Sequence, residues 1–451
     1  MKPADSDRDK SPRAGVADTI VALATGPGVA AVAVIRISGP AAAAVLEALT
    51  GPLPAPRIAT LRGICEPPID RGLVLWFPAP ASFTGEDMAE IQVHGGRAVL
   101  QAVVDAALAQ GGTRLAEPGE FARRAFENGR LDLTEVEGLA DLLHAETEAQ
   151  ARQAFAQTQG ALRRLYEGWR AELLAAQSQI EAGLDFSDEA DVASDANRQP
   201  ATIVQPLLES IETHLSNRSG ECLREGLRVV IAGAPNAGKS SLLNALAKRD
   251  AAIVAEEAGT TRDVVEVHLD LAGLPVVLAD TAGIREGAGT VESEGIRRAL
   301  ARAEDADLIV WVIDATDPVF DAPKSFQGTG VVRTMNKIDL CPQMAGESRT
   351  NTDVALSAKT GVGLEGLVGC LEKAAKTQIG DSGHAPITRA RHRQELVRAR
   401  DALKRFVNHD LAPELSAEEL RIAAHHLGRL TGRIDVEEVL GAIFSAFCIG
   451  K

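Results

Sequence analysis

The sequence predicts three kinds of region: an α+β domain, a helical domain, and a parallel-sheet α/β domain inserted within the helical one. Three observations predict this. Short, almost wholly apolar runs ending in polar loops recur between about 226 and 360, as strands buried on both faces do. Residues 130–220 and those after about 380 instead repeat apolar side chains at three- and four-residue steps, the helical period. Between 18 and 120, β-branched runs alternate with alanine-rich helical ones, the α+β pattern.

Composition bounds the functions open to the chain. Its 451 residues suit about three domains. Apolar residues make up 45% and charged residues 24%, which excludes wholesale disorder. Aromatics are only 3%, so the cores rest on Leu, Val, Ile and Ala. With 47 basic and 63 acidic residues the formal charge is -16, and nonspecific nucleic-acid binding is not expected. Local basic patches remain open to RNA. The five cysteines lie far apart, with no metal-ligand spacing, which suits a reducing cytosol and predicts a cytoplasmic protein. No apolar run approaches the length of a membrane span. Residues 1–17 are polar and acidic, unlike a leader, and are expected to form a disordered tail.

The elements follow in order. AAVAVIRIS (30–38) and RGLVLWF (71–77) read as strands, and PAAAAVLEAL (40–49) as a helix. Leu162, Leu165, Trp169, Leu173, Ile180 and Leu184 give one apolar helix face. LRVVIAGAPNAGKSSLLNAL reads strand, glycine loop, helix. VVLADTAG, DLIVWVID, GVVRTMNKID and DVALSAKTG are further parallel strands, with functional loops expected at their carboxyl ends. RARHRQELVRARDALKRF (389–406) is a basic periodic helix. Its Arg389, Arg391, Arg393, Arg398, Arg400, Lys404 and Arg405 either meet RNA phosphates or are simply solvated.

Chemistry concentrates in the inserted domain. Gly233 to Ser240, GAPNAGKS, fits G-x-x-x-x-G-K-[ST] between a strand and a helix. Backbone N–H groups from Gly233, Asn236, Ala237, Gly238 and the helix start at Ser240 and Ser241 would cradle phosphates. Lys239 would reach the β- and γ-phosphates, and Ser240 would ligate magnesium. Asn336-Lys337-Ile338-Asp339 closes another strand. The Asp339 carboxylate matches the two donors of guanine and rejects adenine, and Ser357-Ala358-Lys359 supplies a backbone N–H for the guanine oxygen. Asp280-Thr281-Ala282-Gly283 would hold magnesium through water and sense the γ-phosphate, and Gly259-Thr260-Thr261 offers Thr261 as the second magnesium hydroxyl. The five elements of a Ras-like P-loop GTPase therefore stand in order. Ile284 follows the D-T-A-G motif and cannot polarise water. A monovalent cation held by Asn236 and loop carbonyls would supply the missing positive charge.

With these residues assembled, the chain resembles the tRNA-modification GTPases of the MnmE/TrmE family. The likeness is carried outside the GTPase motifs by DTIVALATGPG…VIRISGP (18–40), FTGEDMAEIQVHGG (83–96), EPGEFARRAFENGRLDLTEVEGLADL (117–142) and the terminal FCIGK (447–451). The resemblance implies a tetrahydrofolate-binding and dimerisation domain over 18–128. It further implies a helical domain over 129–222 and 380–451, with the G domain inserted at 223–379. It implies a cytoplasmic homodimer that joins an FAD protein of the MnmG/GidA family as a heterotetramer. Together they form the 5-carboxymethylaminomethyl or aminomethyl group on the wobble uridine of certain tRNAs. The carbon comes from 5-formyl- or methylene-tetrahydrofolate, and GTP hydrolysis is stimulated by potassium. By the same resemblance, Asn236, Ala255, Glu257 and Thr260 correspond to the potassium site, and Glu292 orients the attacking water. Arg36, Glu90, Arg130 and Lys451 contact the folate, and Cys448 is a candidate for the modification chemistry. Arg130 stands where lysine is common, which keeps the charge and changes the geometry.

A rival of another class is a GTPase switch in ribosome assembly that performs no chemistry beyond hydrolysis. Such a protein would lack the N-terminal segments and the F-C-I-G-K end.

Overall fold

The computed structural model describes residues 18–26, 28–185, 198–249, 252–253, 266–280, 306–322, 326, 330–341, 352–380, 387–408, 412–434, 440–441, 443–444, 447 and 450. The chain divides into two compact units, one of residues up to Ala140 together with those from Gly432 onward, the other Asp141–Thr431.

The first unit is built on a six-stranded sheet of β1 (Thr19–Leu23), β2 (Ala30–Ser38), β3 (Thr60–Ile64), β4 (Asp70–Phe77), β5 (Met88–Gly95) and β6 (Thr113–Leu115), in the order β3-β4-β5-β2-β1-β6. β1 and β6 run parallel, and the other pairs are antiparallel. Alternation along β2 and β5 sends Ile35, Ile37, Ala89, Ile91 and Val93 to one face, where they pack with Val45, Leu46 and Val103 of the two covering helices. Residues Leu440, Ile443, Phe444 and Phe447 follow helical spacing and pack on Ala122 and Val136 of the same unit. Their partners include Phe83, Ala122 and Phe126 of the expected N-terminal domain and Leu131, Val136, Leu139 and Ala140 of the segment after residue 129.

The second unit holds a helical layer and a second sheet. The helices Ala161–Asp185, Arg198–Ser216, Ala390–Asn408 and Pro413–Leu430 share one core. Leu162, Trp169, Leu173 and Ile180 are buried in it as their spacing predicts, and Leu165 packs at its edge. The Leu184 side chain lies outside the described residues.

The second sheet comprises β7 (Leu227–Gly233), β8 (Ala252–Ile253), β9 (Glu266–Leu271), β10 (Leu274–Asp280), β11 (Leu308–Asp314), β12 (Gly330–Asn336) and β13 (Val354–Ala355). Its order is β13-β12-β11-β7-β10-β9-β8. Five strands, β13 to β10 in that order, are parallel, and β9 and β8 continue antiparallel. All residues of β11 but the last are buried, as expected of a central parallel strand covered on both faces. The chain thus has the mixed α/β and helical class expected of it. Among the described residues no helix is long and apolar enough to cross a membrane.

The connection into this sheet is fixed by ion pairs. Arg224 and Arg389 both donate to Asp141, at 3.1 and 2.6 Å. Arg393 binds both oxygens of Glu221 and also donates to the carbonyls of Leu215 and Asn217. The rest of the basic helix is paired too: Arg398 with Glu395, Arg400 with Asp401, Lys404 with Glu212 and Arg405 with Glu419. Arg391 donates to the Leu430 carbonyl. The run is therefore ion-paired along its length, with the side chains of Arg398, Lys404 and Arg405 still partly exposed.

Leu173 is fully buried, whereas its neighbour Leu174 is 39% exposed. Leu173→Ala should cost about 2–5 kcal/mol by transfer and cavity terms, and Leu174→Ala within about 0.5 kcal/mol. Denaturant titration of the two variants checks the contrast.

Candidate functional site

The carboxyl ends of the parallel strands gather most of the predicted nucleotide residues that the structure describes. Gly233 closes β7 opposite Val312, and Asn336 closes β12 opposite Asp314. The backbone of Asp280 closes β10 opposite Ile231. Strands about 4.8 Å apart therefore deliver the phosphate loop, the D-T-A-G start and the N-K-x-D loop to one rim.

The phosphate loop is shaped by close approach. A Cβ on Gly233 would lie 2.3 Å from the Val312 carbonyl oxygen, so no side chain fits there. Gly238 caps the helix Lys239–Ala247 at φ +93, a left-handed conformation natural to glycine. Asn236 also has positive φ, at 61°, and its side chain is exposed, as are those of Ser240 and Ser241. Ala237 is fully buried. The Lys239 ammonium donates to the carbonyls of Gly233 and Ala234 at 3.1 and 3.0 Å. It is therefore folded back over the loop it belongs to, at the amino end of a helix whose dipole favours anions.

Asn336 binds the site together. Its side chain is 2% exposed. Nδ2 donates to the Ala237 carbonyl at 2.9 Å, and Oδ1 accepts from the Ala358 N–H at 3.0 Å. One amide thus links the phosphate loop to the Ser357-Ala358-Lys359 loop. Ser357 is fully buried and donates its hydroxyl to Asp339 at 2.6 Å, which aims the carboxylate. Asp339 and Lys359 themselves are exposed at the mouth. The sequence reading assigned this loop's backbone N–H to guanine. In the structure the Ala358 N–H is engaged by Asn336, a use that motif spacing does not reveal.

Asp314 was missed by sequence reasoning. Its Oδ2 accepts from the Lys337 ammonium at 2.6 Å, and its Oδ1 from the Thr316 N–H and hydroxyl. Burial pushes the Asp314 carboxyl up, but Lys337 and Thr316 outweigh it and hold it below the usual carboxylate range. The signal was an acidic residue closing an otherwise apolar strand.

The first unit holds the second set of predicted residues. Arg36 on β2 faces Glu90 on β5 in register. Its Nε and Nη2 both donate to Glu90 Oε1, at 3.1 and 2.8 Å. The guanidinium lies 5.5 and 5.7 Å from the ring centres of Phe83 and Phe121, close enough for cation–π attraction. Arg36 Nη1 also reaches the Gly450 carbonyl at 3.4 Å. A Cβ on Gly450 would stand 2.2 Å from the Leu23 carbonyl oxygen, so Gly450 packs closely against β1. Arg130 is exposed, with its stem beside Gly85. A half-buried cation–carboxylate pair flanked by two aromatic rings fits a flat, polar-edged ligand that carries carboxylates.

Behind it lies an ionic network that sequence reasoning did not find. Arg124 binds Asp18, Glu86 and Glu120, and Arg114 binds Asp18 and Glu120. The Ser38 hydroxyl bonds Thr84 and Glu86. Hydrogen bonds from Arg114 hold the Asp18 carboxyl low against the opposing effect of burial. Burial pushes Glu120 up, yet Arg114, Arg124 and the Glu117 N–H bring it below its ordinary value.

The predicted residues Ala255, Glu257, Gly259, Thr260, Thr261, Thr281, Ala282, Gly283, Glu292, Cys448 and Lys451 lie outside the described residues, as does the Asp280 side chain. Among the described residues no group of three or more His, Cys, Asp or Glu side chains could hold a metal ion.

Comparison with known proteins matches two family models along the chain. Residues 19–130 match the family model described as the GTP-binding protein TrmE N-terminus, and residues 133–448 match the MnmE helical domain. A protein named tRNA modification GTPase MnmE from Rhodopseudomonas palustris (strain BisB18) is 50% identical over 96% of this chain and 99% of its own length. Proteins of the same name from Beijerinckia indica and Parvibaculum lavamentivorans are each 51% identical, over 97% and 96% of this chain and 97% and 100% of theirs.

The Asn336 link is testable through Gly238. A Cβ there would meet Asn336 Nδ2 at 2.3 Å and force a left-handed alanine. Gly238→Ala should weaken guanine-nucleotide binding by at least about tenfold through the broken buried bond, read by fluorescent-nucleotide titration. Binding at the parent affinity would contradict the geometry.

Proposed function

This chain belongs to the MnmE family of tRNA modification GTPases, and from that premise we propose a potassium-stimulated GTPase cycle coupled to folate-dependent modification of the tRNA wobble uridine. At the coarser level the protein is a tRNA-modifying GTPase that hydrolyses GTP, with tRNA as its substrate. The observation that carries the finer nucleotide reading is the Ala237–Asn336–Ala358 link, which joins a phosphate-binding loop to a base-reading loop.

In this reading the loop Gly233–Gly238 wraps the phosphates with its N–H groups. Lys239 exchanges its loop carbonyls for β- and γ-phosphate oxygens. Asp339, aimed by Ser357, accepts from the guanine N1–H and 2-amino group, while Asn336, Lys337 and the Ser357–Lys359 loop form the surrounding wall. Ser241 and the D-T-A-G residues Asp280, Thr281, Ala282 and Gly283 complete the phosphate side, with Gly259 in the covering loop. Ser240 and Thr261 would hold magnesium, which supplies charge neutralisation at the phosphates. The exposed Ser240 hydroxyl in the first turn of its helix suits that role. Asn236, with Ala255, Glu257 and Thr260, would hold potassium, whose charge replaces that of an arginine finger. The left-handed, exposed Asn236 suits a loop that gathers oxygens around a cation. Glu292 orients the attacking water, the task Ile284 cannot perform.

The Arg36–Glu90 pair, with Arg130 and Lys451, would bind a one-carbon tetrahydrofolate, which brings the carbon for the new substituent. Glu90 accepts from the pterin edge, and the cations pair with the folate carboxylates. The position of Gly450 beside Arg36 supports a site completed by the chain end, and Cys448 is a candidate for the modification chemistry. The expected assembly is a cytoplasmic homodimer joined to an FAD protein of the MnmG/GidA family.

GTP hydrolysis by the purified chain in potassium and in sodium, at low and high protein concentration, tests this reading. Potassium should raise the rate at least tenfold if the ion supplies the charge of an arginine finger, whose effect in other GTPases is about 10³–10⁵. The rate per protein should rise with concentration if G domains pair. Glu292→Ala should abolish most of the gain. Equal rates in the two salts would refute the potassium site.

A further inference from the structure

We propose that Asp314 is a positioning residue of the guanine site: by anchoring Lys337 it fixes the wall against which the base lies, and so sets nucleotide affinity without touching the nucleotide. The inference rests on the nucleotide reading above and adds to it a residue outside every one of the motifs.

Four observations carry it. Asp314 is the last residue of β11 and pairs in register with Asn336, so its side chain stands at the rim beside the N-K-x-D loop. Its two oxygens have separate tasks. Oδ1 accepts from the Thr316 N–H and hydroxyl at 2.9 and 2.7 Å, which fixes the carboxylate, and Oδ2 accepts from Lys337 Nζ at 2.6 Å. The carboxylate is only 13% exposed and the lysine 29%, so solvent screens the pair less than it would a surface pair. Lys337 also holds a left-handed backbone, φ +64, and its Cε lies 3.9 Å from the point a Cβ on Gly238 would occupy. The lysine stem therefore runs from Asp314 toward the phosphate loop, beside the Asn336 link. A long, flexible side chain held at its charged tip presents its methylenes as a fixed apolar surface, which a planar base can cover without first ordering them.

The chemistry follows. With Asp314 removed, the Lys337 ammonium loses its fixed acceptor and its stem regains rotamer freedom. Binding guanine must then order it. The loss should fall equally on GDP and GTP, because the γ-phosphate lies at the other end of the site.

The test measures fluorescent GDP and GTP affinity of the full chain. Asp314→Ala should weaken both by about tenfold, the scale of a charge-assisted hydrogen bond. Lys337→Ala should do the same, and the double variant should be no weaker than Lys337→Ala alone, since the two residues act as one unit. Thr316→Val, which loses the hydroxyl bond but keeps the backbone N–H bond and the ion pair, should weaken both by less than Asp314→Ala does, separating the anchor from the turn. Asp314→Asn keeps the shape and one acceptor without the charge. It should show a smaller loss in the same direction, and it carries the test if the alanine variant misfolds. Parent affinity in both Asp314 variants, or additive losses in the double variant, would overturn the proposal while leaving the nucleotide reading intact. An unmodified chain that fails to bind GDP would overturn both.

Discussion

A single buried amide organises the nucleotide site. Asn336 lies on β12, the phosphate loop follows β7, and β11 separates them in the sheet. The loops they carry can act on one molecule only if something fixes their separation. The two bonds of Asn336, to Ala237 and to Ala358, do so across 99 and 22 positions of sequence. Because the amide is buried, either bond left unmade would cost about 1–3 kcal/mol, which makes the arrangement specific as well as stable. It requires the correct register of three parallel strands. A slip of one residue would send Asn336 to the opposite face, and the tight approach of Gly233 to Val312 blocks such slips from the other side. Asp314, paired with Asn336 in that same register, extends the constraint to Lys337.

The N-terminal unit uses a comparable device with different chemistry. Its candidate ligand site is a cation–carboxylate pair between neighbouring strands, backed by two aromatic rings and touched by the carbonyl of Gly450. The network of Asp18, Glu86, Arg114, Glu120 and Arg124 ties β1 and β6 to the helix Glu120–Glu127, which carries one of those rings, Phe121. The network's members other than Arg114 fall in the segments 18–40, 83–96 and 117–142, which also carry the family resemblance, so those segments have a structural reason for their composition.

Much of this was legible in the sequence because it depends on local rules. The glycine loop between strand and helix, the apolar strands closed by N-K-I-D, and the helical spacing of Leu162, Trp169, Leu173 and Ile180 are all set within a few residues. Contacts set by register between distant strands were not legible. Asp314 reads as one more acidic residue until β11 is paired with β12, and the Ala358 N–H reads as a free donor until Asn336 is seen to occupy it. The apolar spacing of Leu440, Ile443, Phe444 and Phe447 announces a buried helix face without naming the unit that buries it. The partners of the basic helix after Arg389 were legible only in part: Glu395 and Asp401 lie within it, whereas Asp141, Glu212, Glu221 and Glu419 lie elsewhere in sequence.

The central claim is that Asp339, held by Ser357 at the rim of a sheet organised by Asn336, reads guanine. The most direct measurement is a nucleotide competition on the intact chain and on Asp339→Asn, comparing GDP, ADP and XDP. Xanthine carries an oxygen where guanine carries the 2-amino group, so an amide at position 339 should reverse the preference. The account predicts that the parent chain binds GDP and rejects ADP, and that Asp339→Asn loses GDP and gains XDP. A variant that still prefers GDP to XDP would contradict it.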